Sequence, residues 1–128
     1  MSNLFIGLGA LNAFFAVAMG AFAAHKLKAS LSAYYLSIVQ TAADYQMHHA
    51  LGLILIGLLY QHNKTRLTIV SGWLLFTGII LFSGSLYTLG LTGTKWLGMV
   101  TPVGGLCFLI AWLMLAYVYL RPHADTNH

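Results

Sequence analysis

The sequence predicts an all-α membrane protein of four transmembrane helices, with an amphipathic helical segment leading into the second span. Three observations carry that prediction. Of 128 residues, 59% are hydrophobic and only 6% are charged, against about 25% charged in ordinary soluble domains. Two acidic and six Lys or Arg side chains are too few to cover a soluble domain of this size. The apolar residues also fall into long runs, and about 20 apolar residues cross the hydrocarbon of a bilayer as a helix. The whole chain, 1–128, is therefore expected to form one transmembrane domain with spans at about 4–24, 42–60, 67–91 and 97–120.

The first run, 4–24, is uncharged over 21 residues. A secretory leader has a shorter apolar core behind a basic start, so the run is expected to be a retained first span. Ala16, Gly20 and Ala24 recur four apart, a spacing of small residues that lets two membrane helices approach closely. Asn12 is the only strongly polar side chain of the run and is expected to bond a neighbouring helix. His25, Lys26 and Lys28 then mark the exit from the membrane.

Across 29–41 two helical faces separate. Ser30, Ser37, Thr41, Asp44 and His48 share one, and Leu31, Tyr34, Ile38, Ala42, Tyr45 and His49 follow the other. The segment is expected to be an amphipathic helix at the interface, with Tyr34 and Tyr35 as belt aromatics. With no Pro or Gly between 29 and 50 to force a break, it continues or bends into the second span.

That span holds the most informative stretch, Asp44-Tyr45-Gln46-Met47-His48-His49, followed by an apolar run at 50–60. Eleven residues make roughly 17 Å of helix, well short of the ~30 Å of hydrocarbon. The polar hexad must be drawn at least partly into the membrane for the segment to cross. Ionisable groups at such depth are expensive and are by default candidates for function.

A tight polar connection at 61–66 makes the second and third spans antiparallel neighbours. In the third span Gly72, Gly78, Gly84 and Gly90 recur every six residues, which steps about 240° each time and predicts close contacts on several sides rather than one stripe. Ser83 and Ser85 are expected to bond across helices or back to their own carbonyls. A second short connection at 92–96 carries Lys95. Pro102 stands near the start of the fourth span, where it begins or kinks the helix, and Gly104 and Gly105 follow. Trp96, Tyr117 and Tyr119 lie near the ends of that span, as interfacial aromatics do. Residues 121–128 read as a short polar tail.

Four local patterns accumulate in this order: Gly20-Ala-Phe-Ala-Ala-His25, Tyr45-Gln46 with His49-Ala-Leu, Leu81-Phe-Ser-Gly-Ser-Leu-Tyr87, and Thr101-Pro-Val-Gly-Gly105. Together they resemble the YgdD-type family of small bacterial inner-membrane proteins, a family of unknown function numbered 423. The resemblance covers essentially the whole chain. It departs at Ala23, where the family usually has Gly, which bears on how closely another backbone approaches there. It implies a four-helix inner-membrane protein and no activity. It directs attention to His25, Tyr45, Gln46, His49, Ser83, Tyr87, Pro102 and Gly104, and leaves Asp44 and His48 outside the motif.

On this reading the leading functional cluster is His25, Tyr45, Gln46 and His49, with Asp44, His48, Ser83 and Tyr87 behind it. Ala16, Gly20, Ala24, Gly84, Pro102, Gly104 and Gly105 are assigned to helix packing. Asp44 and His48, four apart, with His25 across the bundle would be a loose set for zinc or iron. Such pairs are more often ordinary helix-surface hydrogen bonds, so no metal is assigned. Haem ligation by His25 and His49 is outweighed by the ordinary role of membrane-boundary histidines as anchors, and no cofactor is expected. No adjacent nucleophile and base, and no phosphate-binding loop, are present, so an enzyme is not expected. No basic cluster with interleaved aromatics supports nucleic-acid binding. The single Cys107 forms no intrachain disulfide and reads as a small hydrophobe.

What remains is a small-solute or ion pathway through a homo-oligomer, since four short helices leave little room for an internal pore. The alternative is a structural partner of other membrane proteins. The basic residues divide evenly, Lys64, Arg66 and Arg121 against Lys26, Lys28 and Lys95, so the positive-inside rule does not choose an orientation. Both termini are placed on the cytoplasmic side because the Lys26 and Lys28 segment is expected to be partly embedded.

Overall fold

The computed structural model describes residues 1–122; the rest of the polar tail, 123–128, lies outside the described residues. These residues form four helices and no strand: α1 (Ser2–Ser30), α2 (Ala33–His62), α3 (Arg66–Thr92) and α4 (Lys95–Leu120). Helices α1 and α3 each contain a π-helical turn, at Ala23–Leu27 and Ile79–Ser83. Helix α4 opens with a 3₁₀ turn, Lys95–Met99.

Local chemistry sets the breaks. Leu31 is extended, and Ser32 caps α2 by accepting the Tyr35 amide at 3.3 Å. Thr65 does the same for α3, taking the Thr68 amide at 3.2 Å. Gly93 ends α3 with φ +72°, a left-handed conformation that costs glycine nothing. Pro102 sits in the first turn of the α-helical part of α4, Thr101–Leu120, just after the 3₁₀ turn, where a missing amide is tolerated.

Helices α1, α3 and α4 are long and apolar enough to cross a membrane. Helix α2 is not one of the three by composition, because Asp44, Gln46, His48 and His49 interrupt its apolar residues. The amphipathic stretch expected at 29–41 is divided: residues 29 and 30 close α1, and residues 33–41 begin α2, which runs unbroken through the polar hexad.

Consecutive helices pack side by side, α1 on α2, α2 on α3 and α3 on α4. The most extensive packing is between α1 and α2. A Cβ on Gly9 would lie 2.6 Å from the Ala50 carbonyl, and one on Gly57 would lie 2.8 Å from that of Ser2. The packed side of α1 carries Phe5, Gly9, Ala16, Ala23 and Leu27. The small-residue face read from the sequence needs correction here. Ala16 is buried, but a side chain on Gly20 would meet nothing within 4 Å, and Ala24 is exposed. Repeated steps of four drift about 40° each around a helix, so only an alternation with steps of three stays on one face. Ala23, the departure from the family pattern, is fully buried beside Leu27 and Val39.

In α3 the six-residue glycine recurrence meets three different helices. Gly72 faces Phe5 of α1, Gly78 faces Phe108 of α4, and Gly90 faces Val39 of α2. Gly84 is the exception, with open space beyond it. Gly104 fits directly against the backbone of Leu81 and Phe82. The main core draws on all four helices, with Phe5, Leu53, Ile56, Leu75, Ile79 and Phe108 among its members.

Candidate functional site

A hydrogen-bonded relay joins α3, α2 and α1. The Tyr87 hydroxyl donates to Gln46 Oε1 at 2.7 Å, and Gln46 Nε2 donates to Asn12 Oδ1 at 3.1 Å. Asn12 Nδ2 then donates to the Leu8 carbonyl at 2.9 Å. Each amide thus uses its oxygen and its nitrogen in opposite directions, so the order of donors is fixed from tyrosine to backbone. Gln46 is 7% exposed. Nearby, Ser83 Oγ donates to the Ala42 carbonyl at 2.8 Å, a second buried tie between α3 and α2. Ser85 bonds Thr101 at 2.6 Å, tying α3 to α4.

This relay also fixes height. The apolar run of α1, 4–24, is centred on residue 14, and Asn12 is two residues away, about 3 Å along the axis. Gln46 meets Asn12, and Ala50 meets Gly9. Residues 46–50 of α2 therefore stand at the middle of the apolar layer that α1 defines, not at its edge.

His49 is likewise 7% exposed. Its Nδ1 lies 2.7 Å from the Tyr45 carbonyl. A carbonyl can only accept, so Nδ1 carries the proton and, in the neutral ring, Nε2 is left as an acceptor. The ring stacks on Phe108, with centroids 3.5 Å apart and planes 7° from parallel. Beside it lies a cavity of about 440 Å³, lined by Tyr45, His49, Phe82, Phe108, Leu109 and Trp112, with Pro102 and Gly105 at its side. The π-helical turn of α3 holds Phe82, the residue whose backbone fits against Gly104.

Asp44 and His48 are exposed. At 100° per residue they sit about 160° and 200° around α2 from Gln46, on the side turned away from the bundle. Ser37 and Thr41 continue that side in one direction, and Leu51, Leu55 and Leu58 in the other; all are exposed. The face separation read from the sequence thus has a spatial counterpart, with one difference: this outer face stands at the height of Gln46.

The structure gathers Gln46, His49, Ser83 and Tyr87 inside the bundle, leaves Tyr45 partly exposed at the cavity wall, and places His25 away from Gln46 and His49. His25 is exposed in the π-helical turn of α1, 13 residues beyond Asn12, or about 20 Å along the helix. Among the described residues, no three His, Cys, Asp or Glu side chains come together as a metal site. Asn12 does more than the single neighbouring-helix bond expected of it, since it is a link of the relay. Phe108 and Trp112 had no signal in the sequence, being apolar residues within an apolar run, and Phe82 stood out only as part of the Leu81–Tyr87 pattern.

Comparison with known proteins gives a consistent family. The model of the family described as "Protein of unknown function (DUF423)" matches residues 19–105. A UPF0382 membrane protein of Staphylococcus saprophyticus is 53% identical over 113 residues, covering 88% of this chain and 93% of the relative. One from Staphylococcus epidermidis is 51% identical over 119 residues, covering 93% and 97%. The UPF0382 membrane protein YwdK of Bacillus subtilis is 45% identical over 120 residues, covering 93% and 98%. No solved structure matches the chain.

Proposed function

Because this chain belongs to the DUF423 family of small bacterial membrane proteins of unknown function, we propose a role from its own geometry: an oligomeric, non-enzymatic pathway for a small solute or ion, running along the outer face of α2. All four helices span in this reading, in the bacterial plasma membrane, with both termini cytoplasmic. Three helices qualify by composition, and the fourth span is supported by the register that holds Gln46 and Ala50 of α2 beside the middle of α1's apolar run.

The observation that carries the proposal is the exposure of Asp44 and His48 at that height. A charged side chain facing lipid at the bilayer centre costs about 2.5–3.5 kcal/mol even on the gentlest scale. Burial against further copies of the chain, with water between them, removes that cost. Ser37, Thr41, Asp44 and His48 would then line a polar vestibule about 17 Å long. Leu51, Leu55 and Leu58 continue the same face and would form an apolar constriction of the kind that gates by excluding water. The closed inner relay supports a path between chains rather than through one, since its polar groups are bonded to each other.

Covering of the same face by a different membrane protein would make the chain a structural partner instead. The experiment is a flux panel with purified protein in liposomes, covering protons, monovalent ions and small metabolites. The expected result is flux of at least one of them, reduced tenfold or more by Asp44→Leu. No flux above empty liposomes, together with a stoichiometric heterologous partner after gentle extraction, would favour the structural reading.

A further inference from the structure

The cavity beside His49 lies on a different side of α2 from Asp44, and nothing in the pathway reading uses it. Its volume, about 440 Å³, falls within the range of roughly 300–1,000 Å³ typical of small-molecule sites. Its walls are aromatic for the most part: Tyr45, His49, Phe82, Phe108 and Trp112. It opens outward between α2 and α4, in the layer where lipid would stand.

One polar atom defines what the site can accept. His49 is more than nine-tenths buried, and its Nδ1 is committed to the Tyr45 carbonyl. Nε2 has no hydrogen-bond partner among the described residues, yet it is not sealed off; of the side-chain atoms there, only Ser71 Oγ is both fully enclosed and unpaired. With the ring lining the cavity, Nε2 opens into it. As an acceptor it needs a donor, and acyl chains carry none. A plain lipid tail would fill the space and leave the acceptor unpaired, which is unfavourable in apolar surroundings.

We propose that this cavity is a binding site for a membrane-dissolved aromatic hydroxyl compound with an apolar tail, the quinol class. The ring lies among the aromatic side chains, which favour offset or edge contacts with a flat guest. Its hydroxyl donates to His49 Nε2, and the tail leaves through the open side into the bilayer. No electron transfer is part of the proposal; the site binds.

The test is calorimetric titration of the full chain in lipid nanodiscs with a decyl-substituted hydroquinone, against empty nanodiscs. Two comparisons carry it: the dimethyl ether of the same compound, which keeps shape and tail but has no donor, and Leu109→Trp, which fills the cavity from an exposed position outside the relay. The expected result is saturable binding of about one molecule per chain. The ether should bind at least tenfold more weakly, and Leu109→Trp should abolish saturable binding while the protein keeps its helical circular dichroism. Equal affinity for hydroquinone and ether would overturn the proposal. So would simple partitioning into the nanodisc, unchanged by Leu109→Trp.

Discussion

Helix α2 presents two polar faces at one height, and they are treated in opposite ways. On the inner side Gln46 is held between Tyr87 and Asn12, and Ser83 closes on the Ala42 carbonyl. On the outer side Asp44 and His48 stand exposed one turn apart. A polar group inside a membrane bundle is tolerable when bonded and costly when not. The Gln46 relay and the Ser83 bond therefore need no further partner, whereas on the proposed pathway reading the outer face is covered by further copies of the chain.

The contrast can be broken or sharpened by substitution, measured as unfolding free energy in a detergent that keeps the chain monomeric. The largest effect is expected where inner packing admits no side chain at all. Gly104→Leu would drive a side chain into the Phe82 backbone and should cost about 3 kcal/mol or more. Gly20→Leu, which faces open space, should change stability by less than about 0.5 kcal/mol.

Next comes Gln46→Leu, which strips partners from both the Tyr87 hydroxyl and Asn12. With each orphaned group costing about 1–3 kcal/mol, a loss of at least about 2 kcal/mol is expected. Asp44→Leu on the outer face should leave the monomer as stable as before, or more so, while abolishing the oligomer seen by cross-linking in bilayers. If the two variants exchange these behaviours, the inner and outer roles are reversed.

Smaller effects test individual bonds. Tyr87→Phe removes one hydroxyl from the relay and should cost about 1 kcal/mol. Ser83→Ala should cost a similar amount. Ser71 is fully buried and its Oγ has no partner among the described residues, so Ser71→Ala should be neutral or slightly stabilising.

Composition and run length revealed the helical class, the membrane location and the approximate boundaries of the apolar runs, because the hydrophobic requirement of a span is written residue by residue. Helical phase separated Asp44 and His48 from Tyr45 and His49 for the same reason. The register of α2 against α1 was not legible, since nothing local reveals that Gln46 meets Asn12, 34 residues away. The contact face of α1 was misplaced at Gly20 and Ala24 because small residues appear on several sides of a membrane helix and only the partner's position selects one. The grouping of His25 with His49 failed on length along the helix. The cavity was not legible as a cavity: Tyr45, His49, Pro102 and Gly105 were singled out separately, but Phe108, Leu109 and Trp112 are apolar residues within apolar runs.

The central claim is that the outer face of α2 meets water in the middle of the membrane. It is tested by placing single cysteines in a Cys107→Ser background, one at His48→Cys and one at Phe14→Cys, and labelling membrane vesicles with a charged, membrane-impermeant thiol reagent from each side. Both positions are exposed on the isolated chain, Phe14 at 65%, and both stand at the height of Gln46. Labelling of the cysteine at 48 at least tenfold faster than the one at 14, from one side of the membrane, is the predicted result. Equal, negligible labelling at both positions would contradict it.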